Sequence, residues 1–293
     1  HSGLFDRAMK SLSGIQEPPS PEKGPALGGT DALDHLLRRV VEEGASDLHL
    51  SAGHKPRWRI DGEMIELVDT GELNGDAVFD MIRPKMREDS IAEFEATNDC
   101  DFAYAIDGLA RFRVNIFRDR FGAGAVLRQI PDKILTIEQL GLPQAVSDLC
   151  NHPKGLILVT GPTGSGKSTT LAAIVDRINK ERSAHILTLE DPIEFVHQSH
   201  KSLVNQREVG VHTASFARAL KAALREDPDI ILVGEMRDIE TVALALETAN
   251  TGHLVFGTLH TSTAVGTVDR IVDLFPSEQQ AQIRSGLAET LRG

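Results

Sequence analysis

Residues 156–168 read Leu156-Ile157-Leu158-Val159-Thr160-Gly161-Pro162-Thr163-Gly164-Ser165-Gly166-Lys167-Ser168, an apolar run that leads straight into a glycine-rich loop closing on Lys-Ser. After the loop, Leu171, Ile174, Val175 and Ile178 recur at helical spacing, so the order predicts strand, glycine turn, helix N-terminus. Such a turn is a phosphate cradle. Its glycines let backbone N–H groups curl round an anion, and the helix N-terminus favours negative charge. Lys167 is placed to reach the terminal phosphates as a point charge, and the Ser168 hydroxyl to meet Mg²⁺. The expected nucleotide contacts are Gly161, Pro162, Thr163, Gly164, Ser165, Gly166, Lys167, Ser168 and Thr169, with ATP and Mg²⁺ as cofactors and ATP hydrolysis as the reaction.

Outward from this loop the texture is α/β. Short apolar strands are expected at 156–160, 186–189, 230–233 and 254–259, separated by helix-period segments, which is the plan of a parallel sheet covered by helices. Ligands of such sheets sit at the carboxyl ends of the strands, and three further strands end in polar groups. The second carries Glu190-Asp191-Pro192-Ile193-Glu194, adjacent carboxylates that suit water-bridged Mg²⁺ or polarisation of an attacking water. The third ends in Gly234-Glu235, a Walker B-like segment with Gly234 where many such ATPases carry an aspartate, which shifts metal binding toward Ser168. Glu235 is then either the general base, or a water-mediated Mg²⁺ contact while Glu190 activates the nucleophile; the residues leave both assignments open. The last has a histidine at each end, His253 and His260, and either is a candidate sensor of the γ-phosphate.

Upstream, 17–29 hold four prolines and three glycines, so 1–29 is expected to be a mobile arm, with weak amphipathicity at Leu4–Leu12. From Thr30 a helix is expected, with Thr30 or Asp31 as N-cap, a stripe of Leu33, Leu36, Leu37, Val40 and Val41, and Gly44 as stop. Strands follow from Asp47 to Ile65 around an Asp61-Gly62 turn, then a helix near Gly75–Met86. Further strands are expected at 101–106, 110–117, where Phe112, Val114 and Ile116 alternate with Arg111, Arg113 and Asn115, and 125–130. This is an α+β domain over 30–135, joined through 131–143 to the α/β domain over 136–293. The chain begins at His1 and stops at Gly293 in an expected helical stretch, which reads as a C-terminally truncated piece.

Composition narrows the function. At 293 residues the prior is about two domains. Charged residues are 25%, and no apolar run nears the roughly 18 residues of a membrane span. Two isolated cysteines, Cys100 and Cys150, form no zinc pair and fit a reducing cytoplasm. With 43 acidic against 31 basic residues the formal charge is −12, which disfavours nucleic acid as a partner.

The phosphate loop, EDPIE at 190–194, ALREDPDIILVGEMRD at 223–238 and TGHLVFGTLHT at 251–261, in this order and spacing, resemble the type II/type IV secretion ATPase superfamily, and within it the type IV pilus retraction ATPases. The similarity runs from GASDLHLSAG at 44–53 to the end of the chain. The resemblance implies a PAS-like N-terminal domain and a RecA-like ATPase domain. It also implies a homohexamer at the cytoplasmic face of the inner membrane, acting on a pilus platform protein in twitching motility. It further implies that arginines of the first domain serve as trans-acting or interdomain fingers, at the matching positions Arg113 and Arg128. Pilus-assembly and type II secretion ATPases of the same superfamily carry a four-cysteine metal module that two cysteines cannot supply, so retraction is preferred. A RecA-like nucleic-acid translocase would call for basic segments interleaved with aromatics, which are 4% of residues. A regulatory module without turnover is disfavoured by the intact Lys167, Ser168, Glu190 and Glu235.

Overall fold

The computed structural model describes residues 30–130 and 133–293. The expected arm, its Leu4–Leu12 segment, and the side chains of Thr30 and Asp31 lie outside the described residues. The chain divides into two compact units between Gln129 and Ile130.

In the first unit, α1 (Thr30–Glu42) buries Leu33, Leu36, Leu37 and Val40 along one face. The strands are β1 (Asp47–Ser51), β2 (Arg57–Ile60), β3 (Glu63–Glu66), β4 (Asp99–Ile106), β5 (Ala110–Asp119) and β6 (Gly122–Ile130), in the sheet order β3-β2-β1-β6-β5-β4. β1 lies antiparallel to both β2 and β6. One face is apolar: Leu48, Leu50, Phe112, Val114, Ile116 and Leu127 pack with α1 and α2 (Gly75–Ile82) into a single core. α2 is capped by Asn74, whose Oδ1 accepts the Ala77 N–H at 2.7 Å, and gives way to a 3₁₀ turn at Arg83–Lys85, so it is shorter than expected. A helix absent from the sequence reading, α3 (Glu88–Thr97), follows; only Phe94 of it is buried, too little periodicity to announce a helix.

In the second unit, β7 (Gly155–Thr160), β8 (His185–Glu190), β9 (Leu203–Glu208), β10 (Ile230–Val233) and β11 (Leu254–Leu259) form a parallel sheet in the order β7-β11-β10-β8-β9. Alternate strand residues feed two cores. Ile157, Ile186, Ile230 and Phe256 meet Leu171, Ile174 and Ile178 of α5 (Lys167–Glu181) on one face. Leu156, Leu187, Ile231 and Val255 meet α6 (Phe216–Ala223), α7 (Ile239–Asn250), α8 (Ala264–Asp273) and α9 (Ser277–Thr290) on the other. A sheet covered on both faces reads as continuous apolar runs, which is why these strands were legible.

Within the expected connection, Ile137 is buried with Cys150 and α5, inside the 136–293 range expected for the α/β domain, and α4 (Gln144–Leu149) follows it. Two other features differ from expectation. β9 was not foreseen, because LVNQRE at the sheet edge has no apolar run. The expected terminal helix ends at Thr290. Beyond it Leu291 bridges Leu156 in parallel, and Leu158 N–H donates to Gly293 O at 3.0 Å, so the last residues run beside β7 instead.

Candidate active site

Parallel register brings the strand ends to one edge. Leu259 pairs with Thr160, and Val233 with both Gly257 and Leu189, so the residues after each strand share one rim. The glycine loop opens from β7 and closes into α5. At Gly161 φ is +154°, and a Cβ would stand 2.5 Å from Ser165 Oγ, so only glycine lets the loop fold back on itself. Lys167 Nζ donates to Gly161 O at 2.8 Å and Pro162 O at 3.0 Å, and lies 3.5 Å from His260 Nδ1. Ser168 is exposed at the first turn of α5.

Glu235 follows β10 and is largely buried. Its Oε1 accepts from His260 Nε2 at 3.0 Å and from the Nε of Arg237. Lys167, His260, Glu235 and Arg237 thus form one continuous polar chain from the glycine loop across the ends of β11 and β10. Glu235, Arg237, His260, Thr261 and Arg270 line a pocket of about 320 Å³ at this rim. Gly234 makes this approach possible. Its N–H donates to Leu189 O at 2.7 Å, and a Cβ there would stand 2.9 Å from the same oxygen. A side chain at this position would press on the backbone at the end of the paired strand β8.

Glu190, at the end of β8, is half-buried, and desolvation pushes its carboxyl above the ordinary carboxylate range against the hydrogen bonds from Thr188 and Gln206. Thr188 Oγ1 donates to Glu190 Oε1 at 2.6 Å and Gln206 Nε2 to the same atom at 3.1 Å. A glutamate whose carboxyl is pushed up by desolvation yet held by two donors suits proton transfer.

His253 has another place. It lies just before Leu254, at the opposite end of β11 from the glycine loop, and its Nδ1 and backbone N–H both face Thr248 O, at 3.1 and 3.3 Å. That contact closes the end of α7, so a phosphate-sensing role for His253 is withdrawn. In the first unit, Arg113 on β5 is 51% exposed and only 3.9 Å from Asp101. Arg128 on β6 donates through Nε to the buried Asp47 at 2.7 Å while its side chain is 70% exposed. Cys100 and Cys150 are free and buried in different units, and burial pushes both thiols up to about 11. Among the described residues no group of three or more His, Cys, Asp or Glu is placed to hold a metal.

Arg237, Thr188, Gln206 and Arg270 were not assigned from sequence. Arg237, two residues beyond Glu235 in GEMRD, carried a signal, whereas Gln206 lies on the unforeseen β9.

A protein family described as "Type II/IV secretion system protein" matches residues 30–291. The type IV pilus retraction ATPase PilT of Pseudomonas aeruginosa is 54% identical over 260 residues, 89% of this chain and 75% of that protein. The twitching motility protein of Neisseria gonorrhoeae is 52% identical over 236 residues, 80% of this chain and 63% of that one. Among solved structures, the crystal structure of the pilus retraction motor PilT with bound ADP superposes with a TM-score of 0.85 at 52% identity, covering 88% of this chain and 76% of its own.

Proposed function

Because the chain belongs to the type II/IV secretion system protein family, we propose that it is an ATP-hydrolysing motor that drives type IV pilus retraction. The observation that carries this reading is the polar chain Lys167–His260–Glu235 leading from a phosphate cradle to a carboxylate. In this reading the second unit is a RecA-like ATPase domain and the first a PAS-like domain.

MgATP is the substrate. The loop 161–169 receives the phosphates on backbone N–H groups. Lys167 exchanges the carbonyls of Gly161 and Pro162 for phosphate oxygens, a swap of one set of acceptors for a charged one. The Ser168 hydroxyl would hold Mg²⁺, in the usual magnesium habit of one or two protein oxygens completed by phosphate and water, and the ion would neutralise developing phosphate charge. Glu235 and Glu190 are the candidate bases and water-mediated metal contacts. His260 couples Lys167 to Glu235, so occupation of the cradle is felt at the carboxylate.

Arg113 and Arg128 are the proposed fingers. With its Nε held by Asp47, Arg128 keeps the two terminal nitrogens of its guanidinium for a phosphate or carboxylate. Nucleotide shifts a domain equilibrium only through unequal contacts in its two states, and these arginines supply such contacts in a homohexamer. That ring acts on an inner-membrane platform protein from the cytoplasmic side; no helix among the described residues is long and apolar enough to cross a membrane.

The test is Mg²⁺-dependent ATP hydrolysis against protein concentration, with light scattering in parallel, for wild type, Lys167→Ala and Arg113→Ala. Specific activity that climbs with ring formation and collapses in both variants supports the motor. Turnover by a monomer indifferent to Arg113 removes the finger-and-ring mechanism.

A further inference from the structure

The loop that follows Glu190 does not leave the sheet. Residues 193–198 run back along one face of β9, where Glu208 Oε2 accepts the Ile193 N–H at 2.9 Å. Two residues earlier on the same face, Gln206 Nε2 donates to Phe195 O at 2.8 Å while its Oε1 accepts the His197 N–H at 2.8 Å. The same Nε2 also donates to Glu190 Oε1 at 3.1 Å. Gln206 pairs in register with Thr188, whose hydroxyl reaches the same carboxylate oxygen. The amide is therefore polarised one way only: turned over, its oxygen would face two acceptors and its NH₂ would face a donor.

From this geometry we infer that Gln206 is a positioning residue for the candidate catalytic carboxylate of Glu190. Its side-chain amide fixes Oε1 and locks the carboxylate to the loop beginning at Asp191. The inference rests on the reading that Glu190 takes part in ATP hydrolysis. Gln206 itself touches no reacting atom. It acts by holding the rotation of Glu190, so that one carboxylate oxygen keeps a fixed direction. Through Phe195 and His197 the same amide ties that carboxylate to a loop whose far end is held by Asn179 of α5: Asn179 Nδ2 donates to Gln198 O at 2.7 Å and its Oδ1 accepts the His200 N–H at 2.9 Å. The loop that Gln206 grips is thus anchored at its far end to the C-terminal part of α5.

The test is single-turnover ATP hydrolysis by the full chain across ATP concentrations, with thermal unfolding alongside, for wild type, Gln206→Met, Gln206→Glu and Glu190→Gln. Gln206→Met keeps the volume and removes both donor and acceptor. Gln206→Glu keeps the acceptor for His197 and sets a second carboxylate beside Glu190. A positioning role predicts a roughly tenfold fall in the maximal single-turnover rate in Gln206→Met and a larger one in Gln206→Glu, with the half-saturating ATP concentration unchanged. A fall in rate that comes with weaker ATP binding, or that tracks the fall in melting temperature in both variants, overturns the inference and leaves Gln206 as a loop staple. Undiminished turnover in Glu190→Gln sinks the underlying reading of Glu190 instead, whatever the Gln206 variants do.

Discussion

His260 Nε2 lies 3.0 Å from Glu235 Oε1, and this contact ties the end of β11 to the end of β10. With Nε2–H donating to the carboxylate, the Nδ1 lone pair faces Lys167 Nζ at 3.5 Å. A change at the lysine is therefore transmitted to the glutamate through one ring.

His260→Ala is expected to lower kcat by roughly 100-fold while the KM for MgATP moves little, because the ring orients a reacting group rather than the nucleotide. Steady-state kinetics separate the two: equal loss in kcat and kcat/KM marks an interaction made in the transition state. A rise in KM with kcat intact would assign His260 to nucleotide binding.

Lys167→Ala should remove hydrolysis and leave the fold alone. Its partners are two loop carbonyls and His260, so stability should change by no more than about 0.5 kcal/mol. Wild type should show a rise in melting temperature with MgATP, as any ligand of the native state produces, and the variant should lose that rise. An unchanged ligand shift would place the nucleotide elsewhere.

The second unit was more legible than the first because a doubly covered parallel sheet writes its strands as apolar runs, and Ile186–Leu189, Ile230–Val233 and Leu254–Leu259 are such runs. Candidate residues at the strand ends followed from that plan, and the register does bring Lys167, Glu235 and His260 together. Two histidines flank one apolar strand, but in a parallel sheet only its carboxyl end, where His260 sits, faces the glycine loop, so the plan itself excludes His253. Gln206 was hidden for a different reason. An edge strand with polar residues on the face toward a loop has no hydrophobic period, and its role appears only when β8 and β9 are set in register.

Gly234→Asp restores the residue many related nucleotide sites carry and is expected to harm this one. The new Cβ would meet Leu189 O at 2.9 Å and Glu190 Cα at 3.2 Å, both backbone atoms of a central strand that cannot yield cheaply. A loss of about 1–3 kcal/mol in stability is expected, as for other overpacked core sites, together with lower turnover because the end of β8 carries Glu190. Denaturant unfolding of Gly234→Ala and Gly234→Asp checks it. Equal stability of Gly234→Ala and wild type would show that the strands separate easily and that steric exclusion is not the reason for glycine.

His197 gives the chain a predicted acid sensitivity. Burial lowers its pKa from 6.5 to about 4, opposed weakly by Asp176, and its Nδ1 is enclosed without a hydrogen-bond partner. The folded state therefore keeps the ring neutral between about pH 6.5 and pH 4, whereas the unfolded chain takes up a proton there. Because the unfolded state binds more protons in this window, stability falls as pH falls from about 6.5 toward 4, and the contribution is fully present above 6.5. Partial solvent contact keeps the magnitude to about 2 kcal/mol. Urea unfolding at pH 7, 6 and 5 of wild type against His197→Phe measures it: the variant should lose less stability on acidification, by a difference that grows as the pH is lowered. Parallel pH dependence in the two proteins would mean that the ring titrates alike in the folded and unfolded states. Its neighbours would then have to admit water at Nδ1, and the loop gripped by Gln206 would be looser than its hydrogen bonds imply.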